Sequence, residues 1–290
     1  MQKKTSYCLA GLVIFFSILL NAGAQKPGRK KINLDDNWKF HFGNAANPEK
    51  DFNYGITNVF VKSSAAAGTA IDTKFKDTTW RTISLPHDWA VELPFVKVDN
   101  FDVMSHGYKP VGGLFPETSI GWYRKHFTVS PADSGQRFQI QFDGIFRDAT
   151  IWINGFFVGN NKSGYVGAAY DVTDYINFNR ENVLVVRVDA TQYEGWFYEG
   201  AGIYRHVWLN QYNNLNIVQD GIFAHAEVQN NKATIHVETT VQNQGLSATS
   251  GTVITTLTDR SGKMVASSKA QAMSLEVNQS KELIQNLVVI

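Results

Sequence analysis

The sequence predicts an all-β chain made of sandwiches rather than helical bundles or α/β layers. Three observations point there. Short runs alternate apolar and polar residues with the period of two that gives a strand two different faces, as in Ala149, Ile151 and Ile153 against Thr150, Trp152 and Asn154. Turn signals punctuate these runs, the plainest being Asn154-Gly155, where both turn residues must accept a positive φ. No long stretch carries the 3.6-residue period of an amphipathic helix. With 290 residues, 43% of them hydrophobic and 18% charged, one or two domains with packed cores are expected, and disorder is not.

In chain order, residues 1–24 read as a secretory signal. Lys3 and Lys4 form a basic start, Leu9 to Leu20 is apolar but short for a membrane span, and Ala22-Gly23-Ala24 offers small residues for cleavage before Gln25. Cys8 is the only cysteine and precedes the apolar run, so the mature chain is expected to hold no disulfide and no lipid anchor. Secretion follows, with the periplasm of a Gram-negative bacterium as the expected compartment. Cleavage removes two lysines and no acid, which takes the net charge from +1 to −1. A near-neutral chain has no bulk attraction for nucleic acid or an anionic membrane, so neither is an expected partner.

Gln25 to Lys31 is a basic leader expected to be flexible. Ile32 to Leu34 and Trp38 to Phe42 read as the first strands, with Trp38, Phe40 and Phe42 on one face. Asn44 to Thr79 is long and mixed, and Ser63 to Gly68 within it reads as a surface loop. Trp80 to Leu85 returns to strand character. Pro94 to Thr118 is a second long loop, a length that is functional in some proteins and decoration in others. Gly121 to Val129 and Arg137 to Asp143 are strands. Ala149 to Val158 is a hairpin about Asn154-Gly155, and Asp171 to Ile176 is a short turn or helical loop. Val183 to Asp189 is nearly all apolar, the pattern of a central strand covered on both faces. Tyr204 to Leu209 closes the first domain. Asn and Gln accumulate at Asn210 to Asn216, the expected boundary. Beyond it Ala233, Ile235 and Val237 alternate with polar residues, Thr252 to Thr258 is β-rich, and Asp259 to Gly262 is turn-like.

Several of these segments carry recognisable motifs. The run from Asp143-Gly144, through Ile153-Asn154-Gly155 and Tyr170-Asp171-Val172-Thr173, to Gly202-Ile203-Tyr204-Arg205 resembles the N-terminal sugar-binding domain of family 2 glycoside hydrolases. Ser84-Leu85-Pro86-His87-Asp88-Trp89 and Gly121-Trp122-Tyr123-Arg124-Lys125 fit the same family in the same order, and ordered motifs are more specific than any single one. The Leu-Pro-His-Asp-Trp form is most similar to the β-galactosidases. The resemblance implies a jelly-roll β-sandwich over residues 25–212, followed by an incomplete immunoglobulin-like β-sandwich over 213–290. The chain ends on the apolar run Leu287 to Ile290, so it is expected to be a fragment cut inside that second domain.

The resemblance also implies an activity. Retaining glycosidases use one carboxyl to protonate the leaving oxygen and another to attack the anomeric carbon. In this family both are glutamates on a (β/α)₈ barrel that lies C-terminal to the two sandwiches. That barrel is absent from this chain, so no catalytic residue is expected here and the fragment alone is expected to be inactive. The complete enzyme would cleave terminal β-galactosides with retention, without a cofactor, and is compatible with a homo-oligomer. A β-linked galactoside or related glycan is the expected partner.

What this chain would supply is recognition of the glycone. An ionised aspartate only accepts hydrogen bonds and can hold two sugar hydroxyls, and burial makes that contact discriminating. By the resemblance, the positions of Asp88 and Asp189 reach the active site and touch galactose, although the first is often Asn in the family. The match to Asp189 also helps hold a sodium ion in some relatives; no other metal is expected. The local readings are plain: Asp88 caps a turn and Asp189 ends a strand. His87, Trp89 and Trp196 are weaker candidates, with His87 and Trp89 reading as structural. Trp196 and Tyr198 fall in a segment expected beside the same site. Glu194 and Glu199 read as loop carboxylates, and Arg205 as a structural cation paired with an acid such as Asp148. The seven histidines show no metal-ligand spacing, and there is no phosphate-binding glycine loop or serine nucleophile elbow.

Two rival readings remain. One keeps the family and changes the sugar, to β-glucuronidase or β-mannosidase. The other is a non-catalytic carbohydrate-binding module, since a jelly roll alone does not decide function. A free module needs aromatics on an open face, whereas a domain subordinate to a barrel buries Trp89 and presents an apolar patch for docking.

Overall fold

The structure, a computed structural model, describes residues 28–57, 67–94, 115–192 and 199–289. Strands are numbered in chain order. The first sandwich pairs a six-stranded sheet with a four-stranded one. Edge to edge, the larger sheet runs β3 (Arg81–Ile83), β2 (Trp38–Phe42), β4 (Ile120–Phe127), β9 (Asn182–Asp189), β6 (Ala149–Ile153) and β7 (Phe156–Asn161). The smaller runs β1 (Lys30–Asn33), β10 (Val207–Tyr212), β5 (Arg137–Phe142) and β8 (Ala168–Asp171). All pairings are antiparallel, and the architecture is a jelly roll. The β6–β7 hairpin turns on Asn154 and Gly155, at φ 51 and 87, the left-handed values this dipeptide accepts readily.

The strand at the centre shows how the sandwich is filled. Residues Leu184, Val186 and Val188 of β9 point between the sheets and pack with Phe40, Tyr123, Phe138, Ile140 and Leu209. Val183 and Val185 point to the far face, where they meet Ile120, Trp122 and Trp152. So β9 is buried on both sides, as its nearly all-apolar run predicts.

That second burial requires a cover, which the long segment 44–79 provides. It includes a short helix, α1 (Tyr54–Thr57), and it places Ala70, Ile71, Phe52, Tyr54 and Phe75 on the far face of the sheet. Trp80, at the end of the segment, packs in the same cluster. Sequence patterning gave only a long mixed stretch here; its described residues, 44–57 and 67–79, form a second core layer without regular strands.

Two boundaries differ from expectation. Lys30 and Lys31, assigned to a flexible leader, pair with Gln211 and Asn210 in β1–β10. The Asn- and Gln-rich boundary likewise begins inside a strand: Asn210 and Gln211 are buried. They can be, because Asn210 Nδ2 donates to Gln139 Oε1 and Gln141 Oε1 at 3.1 and 2.9 Å, and Gln211 donates to Gln136.

Sheet membership changes between Tyr212 and Leu215. The second, immunoglobulin-like sandwich has a three-stranded sheet of β11 (Leu215–Gln229), β12 (Lys232–Asn243) and β17 (Ser280–Val289). Two ribbons accompany it, β13 (Thr249–Val253) with β16 (Gln271–Leu275) and β14 (Thr256–Thr258) with β15 (Met264–Ser267). Its core is small, formed by Val241, Met273, Leu275 and Leu283. The hairpin between β11 and β12 turns on Asn230 and Asn231, both at positive φ. The β14–β15 turn is held by Asp259 Oδ1, which accepts from the Ser261 and Lys263 amides.

Candidate functional site

The candidate residues gather where Leu85 to Ala90 crosses one end of the first sandwich. His87 N donates to Ile203 O and Trp89 N to Ala201 O, so this segment is laced to residues 201–203. The lacing needs close backbone approach. Gly202 sits at φ 124, and a Cβ there would lie 2.4 Å from the Tyr123 hydroxyl.

Trp89 is fully buried, its Nε1 donating to Thr118 O at 2.7 Å. Its ring lies over Gly121, where a Cβ would come within 2.4 Å of it, and packs among Phe40, Phe42 and Tyr123. It is the buried anchor of the segment.

Asp88 is the N-cap of a single 3-10 turn, Trp89–Glu92. Its Oδ1 accepts from Ala90 N at 2.9 Å and from Ala201 N at 2.8 Å. The capping role therefore exists, and it is joined to a long-range one, since Ala201 belongs to the far side of the site. The carboxylate also faces Gly200, whose missing Cβ leaves it room.

His87 is buried and structural. Its Nδ1 is 2.8 Å from the Tyr123 hydroxyl, and its Nε2 is 2.7 Å from Arg81 Nη2 and 3.2 Å from Glu92 Oε1. Arginine can only donate, so the Arg81 contact requires a bare Nε2, and the neutral ring donates from Nδ1 to Tyr123. Burial pushes the His87 pKa down and favours that neutral form, against the pull of Glu92.

Asp189 closes β9 and sits in a different network. Its amide donates to Arg147 O. Its Oδ1 accepts from Thr191 Oγ1 at 2.6 Å and Thr191 N at 3.1 Å, and its Oδ2 lies 3.1 Å from Arg187 Nη1. Arg187 in turn reaches Asp51 through Nε and Nη2, at 3.0 and 2.8 Å, and lies over the Tyr54 ring. Asp51 also accepts from Trp122 Nε1 at 2.6 Å; burial raises its pKa despite both partners. The Asp189 side chain is thus fixed from behind yet remains 25% exposed. Its neighbours are all donors, an N–H, an O–H and a guanidinium.

Both aspartates border the start of β4. Ile120 pairs with Asp189, Ala190 N donates to Ser119 O, and Thr118 O holds Trp89. No described contact joins the two carboxylates, one belonging to the inner network of His87 and Trp89, the other to the outer network of Arg187. Trp196, with Glu194 and Tyr198, lies outside the described residues. Glu199 is described; it lies in a loop and is buried. Arg205 is exposed and is not paired with Asp148, which instead accepts from Asn160 Nδ2 at 3.0 Å. Two clefts of about 660 and 690 Å³ are lined by neither Asp88 nor Asp189.

The family model described as glycosyl hydrolases family 2, sugar binding domain, matches residues 33–213, more than half of the chain. The chain belongs to glycoside hydrolase family 2. Among curated relatives of this family 2 chain, a β-galactosidase of Bacteroides ovatus is 32% identical over 258 residues, which cover 88% of this chain and 26% of that protein. A β-glucuronidase of Formosa agariphila is 32% identical over 241 residues, 75% of this chain and 23% of that protein. In structure the chain resembles a glycosyl hydrolase family 2 member from Bacteroides cellulosilyticus, with a TM-score of 0.72 at 30% identity over 90% of this chain and 30% of the other. The chain therefore spans about a quarter of the length of the curated relatives it matches.

Sequence reasoning missed Asp51, Asp77, Arg124 and Arg187. Arg124 is fully buried, with Nε 2.7 Å from Asp77 Oδ2. Each ion pair joins a strand to the covering segment 44–79. The only signal available was a charged residue inside an otherwise apolar strand, Arg187 in Val183 to Asp189.

Proposed function

We propose that this chain is the N-terminal, glycone-recognising part of a secreted retaining glycosidase that acts on terminal β-galactosides. The observation that carries the reading is the Asp189 carboxylate. It stands at the end of a strand buried on both faces, held by Thr191 and Arg187, and a quarter of its surface remains open. Three of its lone-pair positions are used, leaving acceptor capacity for a sugar hydroxyl. Asp88, fixed by the Ala90 and Ala201 amides, would line the same end of the pocket. The remaining walls and both catalytic carboxylates would come from residues beyond this chain.

The β-galactosidase relative supports the galactoside because it is matched over 88% of this chain. A β-glucuronidase relative of equal identity supports a second reading, in which the sugar carries a carboxylate and a cation elsewhere in the protein meets it. A free carbohydrate-binding module fits less well, since Trp89 is buried and offers no stacking face. The test is a panel of aryl β-galactoside, β-glucuronide and β-mannoside with the protein that carries this chain. Turnover of the galactoside at least about tenfold above the others is expected, a difference of ~1.4 kcal/mol in transition-state binding. Preference for the glucuronide would replace the reading with its rival, and no turnover of any of the three would end it.

A further inference from the structure

We propose that His225, Glu227 and His236, on the outer face of the immunoglobulin-like sandwich, form a binding site for a borderline divalent transition-metal ion such as zinc. The spacing of the histidines along the sequence gives no hint of it, and none was expected. The hairpin turning on Asn230-Asn231 creates it: His225 of β11 is directly opposite His236 of β12, and Glu227 follows His225 by two, on the same face. One ligand atom from each of the three lies within 4.8 Å of the others.

The orientation of His236 is the second observation. Its Nδ1 is 2.9 Å from Asn286 Oδ1, contributed by β17, where Asn286 pairs with His236 across the sheet. A carboxamide oxygen only accepts, so Nδ1 carries the proton and Nε2 presents its lone pair. That Nε2 is buried and makes no hydrogen bond. Its nearest carboxylate oxygen, Glu227 Oε2, is 4.0 Å away, beyond hydrogen-bonding reach. An unpaired buried acceptor is costly, and a metal ion would satisfy it. A histidine whose far nitrogen is fixed by a carbonyl-type oxygen is the usual arrangement of a metal ligand and its support.

Two imidazoles and one carboxylate suit zinc, nickel or copper(II) better than calcium or magnesium, which prefer oxygen alone. Bonds of roughly 2.0–2.2 Å in a tetrahedron put ligand atoms about 3.4 Å apart, so the cluster must contract slightly. His225 and Glu227 are exposed and free to do so by side-chain rotation. The His225 and His236 rings are now stacked, 4.8 Å between centroids and 21° between planes, and binding would tilt them toward a common point. Water would complete the shell.

The experiment is zinc titration of the untagged chain by calorimetry at neutral pH, paired with the thermal midpoint with and without chelator. One ion per chain is expected, with a midpoint raised by zinc and restored by the chelator. His236→Gln and Glu227→Gln are each expected to weaken binding at least about tenfold, and Asn286→Ala by roughly 10–100-fold through loss of the supporting contact. His225→Gln is the safeguard if His236→Gln fails to fold, because His225 is exposed and its loss leaves the sheet intact. A dissociation constant weaker than about 1 mM, or binding unchanged in both His225→Gln and Glu227→Gln, would overturn the proposal.

Discussion

The two faces of the six-stranded sheet are both buried, and they are built from different chemistry. The inner face is apolar almost throughout, with Phe40, Tyr123, Ile151, Leu184 and Val186 packed against the opposing sheet. The outer face places Arg124 and Arg187 among Trp122, Trp152, Val183 and Val185, and draws Asp77 and Asp51 from the covering segment to meet them. Apolar burial stabilises without demanding direction. Buried ion pairs add little net stability, because desolvation offsets much of their attraction. What the outer pairs add is position. Asp51 alone accepts from Trp122, Arg187 and the Asn44 amide, so the cover seats in one place, and Arg187 is then held where it meets Asp189. The inner face makes the sandwich stable, and the outer face aims the candidate site.

This contrast can be broken from either side. The largest effect is expected inside: Trp89→Ala should cost about 3–5 kcal/mol, read as a fall in the urea midpoint, with no single second substitution restoring it. Asp77→Ala should cost about 3 kcal/mol by leaving the fully buried Arg124 without its carboxylate. Here a second change is expected to rescue: Asp77→Leu with Arg124→Met should recover most of the loss, because the pair as a whole is worth little. Failure of the double variant to recover would place the outer face in the same class as the inner.

Acidity sharpens the contrast further. Burial lowers the His87 pKa, so the unfolded chain takes up the proton first, and stability should fall as pH drops below about 6.5. A shallower fall between pH 7 and 5 is expected for His87→Phe, measured by denaturant titration. Asp77 behaves differently: burial alone would raise its pKa, but hydrogen bonds from His126 and Arg124 hold it below the ordinary value, so its contribution is lost only under more acid conditions, below about pH 4. The smallest effect is expected at the surface. Glu92→Gln breaks the Arg81 pair, whose side chains are 47% and 39% exposed, and should cost under about 1 kcal/mol.

The same contrast explains what could be read from the residues alone. The inner strands announce themselves by alternation, Asn154-Gly155 by its turn chemistry, and β9 by a run that is apolar on both faces but for Arg187. Trp89 was read correctly as an anchor because a large ring beside a strand end is most often core. The outer face was illegible because its partners are remote, 136 residues apart for Asp51 and Arg187 and 47 for Asp77 and Arg124. A carboxylate in a long mixed segment carries no mark of the strand cation it will meet. Lys30, Lys31, Asn210 and Gln211 misled for a related reason: polar residues can fill a strand when partners such as Gln136, Gln139 and Gln141 stand opposite. Asp88 and Asp189 were singled out by motif, and only the structure shows that they belong to separate networks.

The most direct test is kcat/KM for an aryl β-galactoside with Asp189→Ala in the protein that carries this chain. Arg187 keeps Asp51 in that variant, so the fold is expected to survive with its thermal midpoint little changed. Loss of one charged hydrogen bond to the glycone predicts a fall of about 10–100-fold. A value within about twofold of the unsubstituted enzyme would contradict the account and leave Asp189 as no more than the end of a strand.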